Sequence, residues 1–169
     1  MFLHLLRRLS YPILVSIACS TAYGFNEEAA DTWNWNIIGP FENYSGACFT
    51  KKLPAEAPFD TLTHNNARGG NLSWQRTTST NSTIVGLFDS NPERSGAYLA
   101  NTFVESRDRQ TITLYAKIAG SIDVYVNDSL AYTSKQDILT GTSVPICRVT
   151  LEKGWNRILI KAGNSELPF

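Results

Sequence analysis

Between Gln110 and Asn127 the chain alternates apolar and polar residues almost without a break. Ile112, Leu114, Ala116 and Ile118 fall on one side of the run, and Thr111, Thr113, Tyr115 and Lys117 on the other. After Gly120-Ser121 the alternation resumes, with Ile122, Val124 and Val126 against Asp123, Tyr125 and Asn127. Side chains point to opposite faces along a pleated strand, so the pattern predicts two strands, each with one apolar face, joined as an antiparallel hairpin. An apolar face of that size needs a second layer to cover it.

The rest of the chain supplies more strands. Trp33, Trp35 and Ile37 alternate with Asn34, Asn36 and Ile38, and Gly39-Pro40 is expected to end that strand. From Phe41 to Gly70 no period persists, which predicts a long ordered loop of the kind that tends to carry function. Leu72, Trp74 and Arg76 alternate again, and Thr83 to Phe88 reads as a short strand. Gly96 to Glu105 is apolar on parts of both faces, as a central strand would be. Asn127-Asp128 marks a hairpin turn toward Leu130 and Tyr132, and Gly154 a tight turn between Val149–Leu151 and Trp155–Ala162, with Ile158 and Ile160 facing the core. Without amphipathic helix patterns or repeats, the expected fold is all-β, a jelly-roll β-sandwich of about eight antiparallel strands. Only Ser165 to Phe169 follow the last strand, so the reading expects the closing strand in a longer protein.

Residues 1–24 read as a signal peptide. Arg7 and Arg8 precede an apolar stretch from Leu9 to Ala18, and Ala22-Tyr23-Gly24 offers a small-residue cleavage site. The apolar part is too short to span a bilayer, so no transmembrane span is expected. Cys19 opens an alternative, a lipid anchor, although Ser16 stands where such signals carry leucine. Both readings make the protein exported, periplasmic or extracellular, with residues 25–169 as one domain. Without Arg7 and Arg8, the 15 basic residues fall two short of the 15 acidic ones. Such a chain has no basic field for a phosphate backbone, and nucleic acid is excluded as a partner on that ground.

An oxidising compartment favours pairing Cys48 with Cys147, the alternative being two separate small hydrophobes. The bridge would close a loop of about a hundred residues, which chain-entropy models value at roughly 4–5 kcal/mol.

Three phrases then occur in a familiar order. Trp35-Asn36-Ile37-Ile38-Gly39-Pro40-Phe41-Glu42-Asn43 resembles a Trp-x-x-x-Gly-Pro-Phe-x-Asn opening. Ile122 to Asn127 resembles a strand ending in asparagine before a turn, and Leu151 to Lys161 a lysine–glycine–tryptophan–asparagine hairpin. Together they resemble the galactose-binding-like, carbohydrate-binding-module-like jelly-roll domains of secreted bacterial multi-domain proteins. The resemblance implies an accessory, non-catalytic role: binding sugar or packing against a neighbouring domain. The acidic positions of that family's opening loop and of its turn before the second strand are missing here, in Cys48-Phe49-Thr50-Lys51 and Ala119-Gly120-Ser121. A calcium site built on them is thereby put in doubt, and no cofactor is expected.

Catalytic sets are sparse. His64 is the single histidine after the leader, so a cysteine or serine nucleophile has one possible imidazole base, and Cys48 shares the long loop with it. One histidine and two distant cysteines give no zinc spacing. Glu105 and Asp123 are the strand carboxylates a glycoside hydrolase would need, and both read as solvent-facing. Aromatic residues suit binding better. Trp33 and Trp35 share a strand face that could stack on a sugar ring, and Tyr125 with Arg157 could clamp hydroxyls, whereas Trp155 reads as packing. Asn43, Asn71, Asn81 and Asn127 head glycosylation sequons expected on exposed loops. The sequence therefore predicts an exported binding module whose partner is carbohydrate or a downstream domain, with a purely structural domain or a glycoside hydrolase as alternatives.

Overall fold

Two antiparallel sheets face each other across an apolar layer, and the larger one is covered on its far side as well. The computed structural model describes residues 16–20, 33–58, 64–65, 70–79, 96–117, 120–134 and 144–163. Among these the strands are β1 (Ser16–Ser20), β2 (Trp33–Glu42), β3 (His64–Asn65), β4 (Asn71–Leu72), β5 (Gln75–Ser79) and β6 (Gly96–Ser106). They continue with β7 (Gln110–Lys117), β8 (Ser121–Val126), β9 (Ser129–Ser134), β10 (Val144–Leu151) and β11 (Gly154–Gly163). The large sheet has the order β5-β2-β6-β11-β8-β9, the small one β1-β7-β10, and β3-β4 form a separate two-residue ladder. All described pairings are antiparallel. The chain is all-β, with its described strands in antiparallel sheets. No helix of the described residues is long and apolar enough to cross a membrane. The predicted strand at Thr83–Phe88 and the sequon at Asn81 lie outside the described residues.

The alternation correctly marks the buried faces of β7 and β8, Ile118 lying outside the described residues, but not the pairing. β7 pairs with β1 and β10, while β8 pairs with β11 and β9. The predicted hairpin is therefore an arch. The chain leaves the small sheet after β7 and enters the large one at β8, so both apolar faces meet across the core. β10 and β11 repeat the arrangement across Gly154. A period of two states which side chains face inward and is silent about which strand supplies the hydrogen bonds. The Asn127-Asp128 turn does form a true hairpin between β8 and β9, with φ of 50° and 64° at its two central residues.

The layer between the sheets joins Ile112, Leu114 and Ala116 of β7 and Val149 and Leu151 of β10 to Ala100, Ile122, Val124, Ile158 and Ile160 of the large sheet. Each of the valines, leucines and isoleucines among them contributes about 1.5–3 kcal/mol through burial. Trp35 lies in the same layer, 0% exposed.

β2 does not stop at Gly39-Pro40, which is a cis peptide. It runs on to Glu42, with a register shift against β6 between Ile38 and Phe41, because Pro40 has no N–H to give the ladder. Glycine is required at position 39, where φ is 151° and a Cβ would stand 2.5 Å from the Tyr98 ring.

The far side of the large sheet carries a second apolar cluster. Ile38, Phe41, Leu99 and Leu159 belong to the sheet, and Cys48, Leu53, Ala55 and Leu72 cover them. The covering segment is the aperiodic stretch, shaped by two 3-10 turns at Tyr44–Phe49 and Pro54–Glu56. The thiols are both free. Cys48 packs on this far side of β11, while Cys147 of β10 packs on the inter-sheet layer, so the large sheet stands between them. That separation overturns the expected Cys48–Cys147 bridge, which needs Cα atoms within about 7 Å.

Candidate functional site

The far side of β11 presents Trp155, Arg157, Leu159 and Lys161, since Ile158 and Ile160 are spent on the core. Opposite them on β6 stand Glu105, Phe103, Asn101 and Leu99, and on β8 Tyr125 and Asp123 pair with Leu159 and Lys161. Two cations thus sit beneath the covering segment, and both hold it down.

Lys161 is 1% exposed. Its Nζ pairs with Glu56 and donates to the carbonyls of Cys48 (2.8 Å) and Lys51 (3.2 Å). Glu56 also accepts the Leu53 N–H at 2.8 Å, which caps the short turn that carries it. Arg157 spreads its guanidinium over three acceptors: Asn101 Oδ1 at 3.0 Å, Asp128 Oδ1 at 2.6 Å and the Glu56 carbonyl at 3.0 Å. Burying these charges is tolerable only because every one has a partner.

Between this roof and β8–β11 lies a cleft of about 290 Å³. Phe49 to Lys52 and Glu56 line it from the covering segment, and Tyr125, Asp128, Leu159 and Lys161 from the strands and turn beneath, with Leu159 its aliphatic part. Loss of solvent pushes the Tyr125 phenol up to about 12, helped by the charges of Asp123 and Glu56 and by its hydrogen bond to Asp123. Thr133 Oγ1 donates to the same carboxylate at 2.6 Å. Lys51 and Lys52 are exposed on the cleft wall. The cleft therefore offers a phenol, two ammonium groups and a carboxylate beside a small aliphatic part, an inventory for gripping a polar ligand. Among the described residues no group of three His, Cys, Asp or Glu side chains could hold a metal ion.

The predicted site residues separate in this frame. Tyr125 is in the cleft. Arg157 lies beneath the roof, buried, and gives three of its N–H donors to Asn101, Asp128 and the Glu56 carbonyl, so it holds the covering segment in place. Trp35 is core, which removes it as a stacking platform. Trp33 opens β2 opposite Ser79, and its side chain lies outside the described residues. Trp155, read as packing, is 69% exposed near the start of β11. Asn43 is buried and accepts the Cys48 N–H at 3.0 Å, so the sequon there is not on an exposed loop.

Cys48 Sγ donates to the Glu42 carbonyl at 2.8 Å, and burial pushes its thiol up, the opposite of an activated nucleophile. His64 instead sets its ring edge-on to Phe41, with centroids 6.0 Å apart. Asp123 is buried beside Lys161, not solvent-facing. Glu105 stands opposite Trp155, so the two carboxylates are separated by six residue rises along β11, about 20 Å, beyond the spacing a two-carboxylate mechanism uses.

Sequence reasoning passed over Glu56, Lys161, Lys51, Lys52 and Asp128. The signal was in β11, where Arg157 and Lys161 flank Leu159 on a face that a solvated strand would leave polar throughout. No protein-family model, curated protein or solved structure matches this chain.

Proposed function

We propose that the chain is an exported, non-catalytic jelly-roll module that binds carbohydrate in the cleft between the covering segment and β8–β11. The jelly-roll reading is supported by two arches, β7–β8 and β10–β11, that carry the chain from one sheet to the other. The binding reading is carried by one observation: the buried charges spend their hydrogen bonds holding the roof, which leaves Tyr125, Lys51 and Lys52 at a preformed polar cleft. Sugar hydroxyls suit such a mixed set of donors and acceptors, and the two ammonium groups favour an acidic saccharide over a neutral one.

Affinity electrophoresis of the protein in gels containing neutral and acidic polysaccharides tests this reading. Retardation by an acidic polymer, weakened by Tyr125→Ala and by Lys51→Ala with Lys52→Ala, is the expected result. Unchanged mobility in every gel removes the carbohydrate reading.

A second reading, packing against a partner domain, is favoured by Trp155 and by Leu130 of β9, which is 55% exposed. Large apolar side chains left in solvent mark contact surfaces when they lie together, and both project from the large sheet. Under this reading Trp155→Ala weakens association with the partner domain and leaves mobility in polysaccharide gels unchanged.

A further inference from the structure

The small sheet is completed by a strand from an unexpected place. Ser16–Ser20 pairs with β7 over five positions, from Ser16 opposite Lys117 to Ser20 opposite Thr113. Those five residues belong to the stretch whose charge, apolar core and small-residue exit read as a signal peptide. Hydrolysis of the chain before Phe25 on export takes β1 away and, among the described residues, leaves β7 as an edge paired with β10 alone. β10 touches β9 at the far end of the large sheet, so the opened edge lies toward the β2–β5 end.

We infer that in the exported protein the β7 edge is an acceptor site for an extended strand of a different chain, which pairs antiparallel in the register that β1 occupies here. The inference rests on the leader reading. An opened edge presents a row of N–H and C=O groups with no partners and a flank of the core layer, and adding a strand satisfies both at once. The register states the chemistry of the ligand. The two occupant positions opposite Leu114 and Ala116, both 0% exposed, lie on the core side and take apolar residues. The three positions opposite Thr113, Tyr115 and Lys117 lie on the outer side and take small or polar ones. Ser-Ile-Ala-Cys-Ser has that pattern. The partner is therefore a five-residue extended segment of the form polar–apolar–small–apolar–polar, donated by another polypeptide.

The test uses the protein as a bacterial host exports it from the full gene. Intact mass fixes its N-terminus, sedimentation fixes its association state, and hydrogen exchange reads the amides of Gln110–Lys117. These are compared alone, with a lysine-flanked Ser16–Ser20 peptide, and with the same peptide carrying Ile17→Asp and Cys19→Asp. The expected result is a cleaved monomer in which alternate β7 amides exchange fast. The first peptide should slow them at least tenfold, and the second should not.

A retained N-terminus with β7 protected overturns the leader reading, and with it the acceptor. A cleaved monomer already protected, a dimer protected through β7, or a cleaved monomer that the peptide does not protect each overturns the acceptor alone.

Discussion

Lys161 decides whether the far side of the large sheet has a roof. Its ammonium holds Glu56 and two carbonyls of the covering segment, so Lys161→Ala leaves a buried carboxylate with nothing to balance it. We expect a loss of about 3–5 kcal/mol in urea unfolding. Lys161→Met combined with Glu56→Gln should cost less than the sum of the single changes, because the stranded charge is gone. Tyr125 gives a second readout at this scale. Its folded pKa, about 12, lies above the ordinary tyrosine value of 10, so its stabilising effect is full below pH 10 and is lost as pH rises through 12. Phenolate absorbance at alkaline pH should show one tyrosine, absent in Tyr125→Phe, that ionises later than the rest. The sequence shows the two cysteines but not where their thiols lie relative to each other. Cys48 and Cys147 sit on opposite faces of one sheet, and no spacing along a chain records which face of a distant strand a residue meets.

Asn156 shows how one side chain sets an element. It follows the Gly-Trp of the β10–β11 arch, accepts the Glu152 N–H at 2.8 Å, and donates to the carbonyls of Glu152 (2.7 Å) and Gly154 (3.0 Å). Its Oδ1 also accepts Asn127 Nδ2 at 2.9 Å, which ties the arch to the β8–β9 turn. Asn156→Ala strands these buried groups and should cost about 2–3 kcal/mol. The adjacent Trp155→Ala, at an exposed position, should stay within about 0.5 kcal/mol of the parent. Equilibrium unfolding of the two variants checks the pair, and a Trp155 variant as damaged as the Asn156 one would contradict the placement. In β2 the Gly39→Ala change should cost more than about 1 kcal/mol, since it adds a methyl against Tyr98 at a backbone angle that only glycine holds easily.

At the scale of the molecule, β11 joins everything. Ile158 and Ile160 enter the layer between the sheets, while Leu159 and Lys161 enter the cluster beneath the roof. Roof and sandwich should therefore unfold together, with coincident midpoints by far-ultraviolet circular dichroism and tryptophan fluorescence. Two separated transitions would show that the covering segment folds on its own account. Local pattern was enough to establish the all-β class, the inward residues of β7, β8 and β11, the central place of β6 and the turn at Asn127-Asp128. Each of these depends on neighbours within a few residues, through side-chain alternation or a backbone angle. Tertiary structure alone decided that the two apparent hairpins are arches, that the aperiodic stretch roofs a second core, and that Glu56 meets Lys161. Those outcomes depend on hydrogen bonds and charge pairs between segments up to about a hundred residues apart, whose energy exists only once the sheets have been brought together.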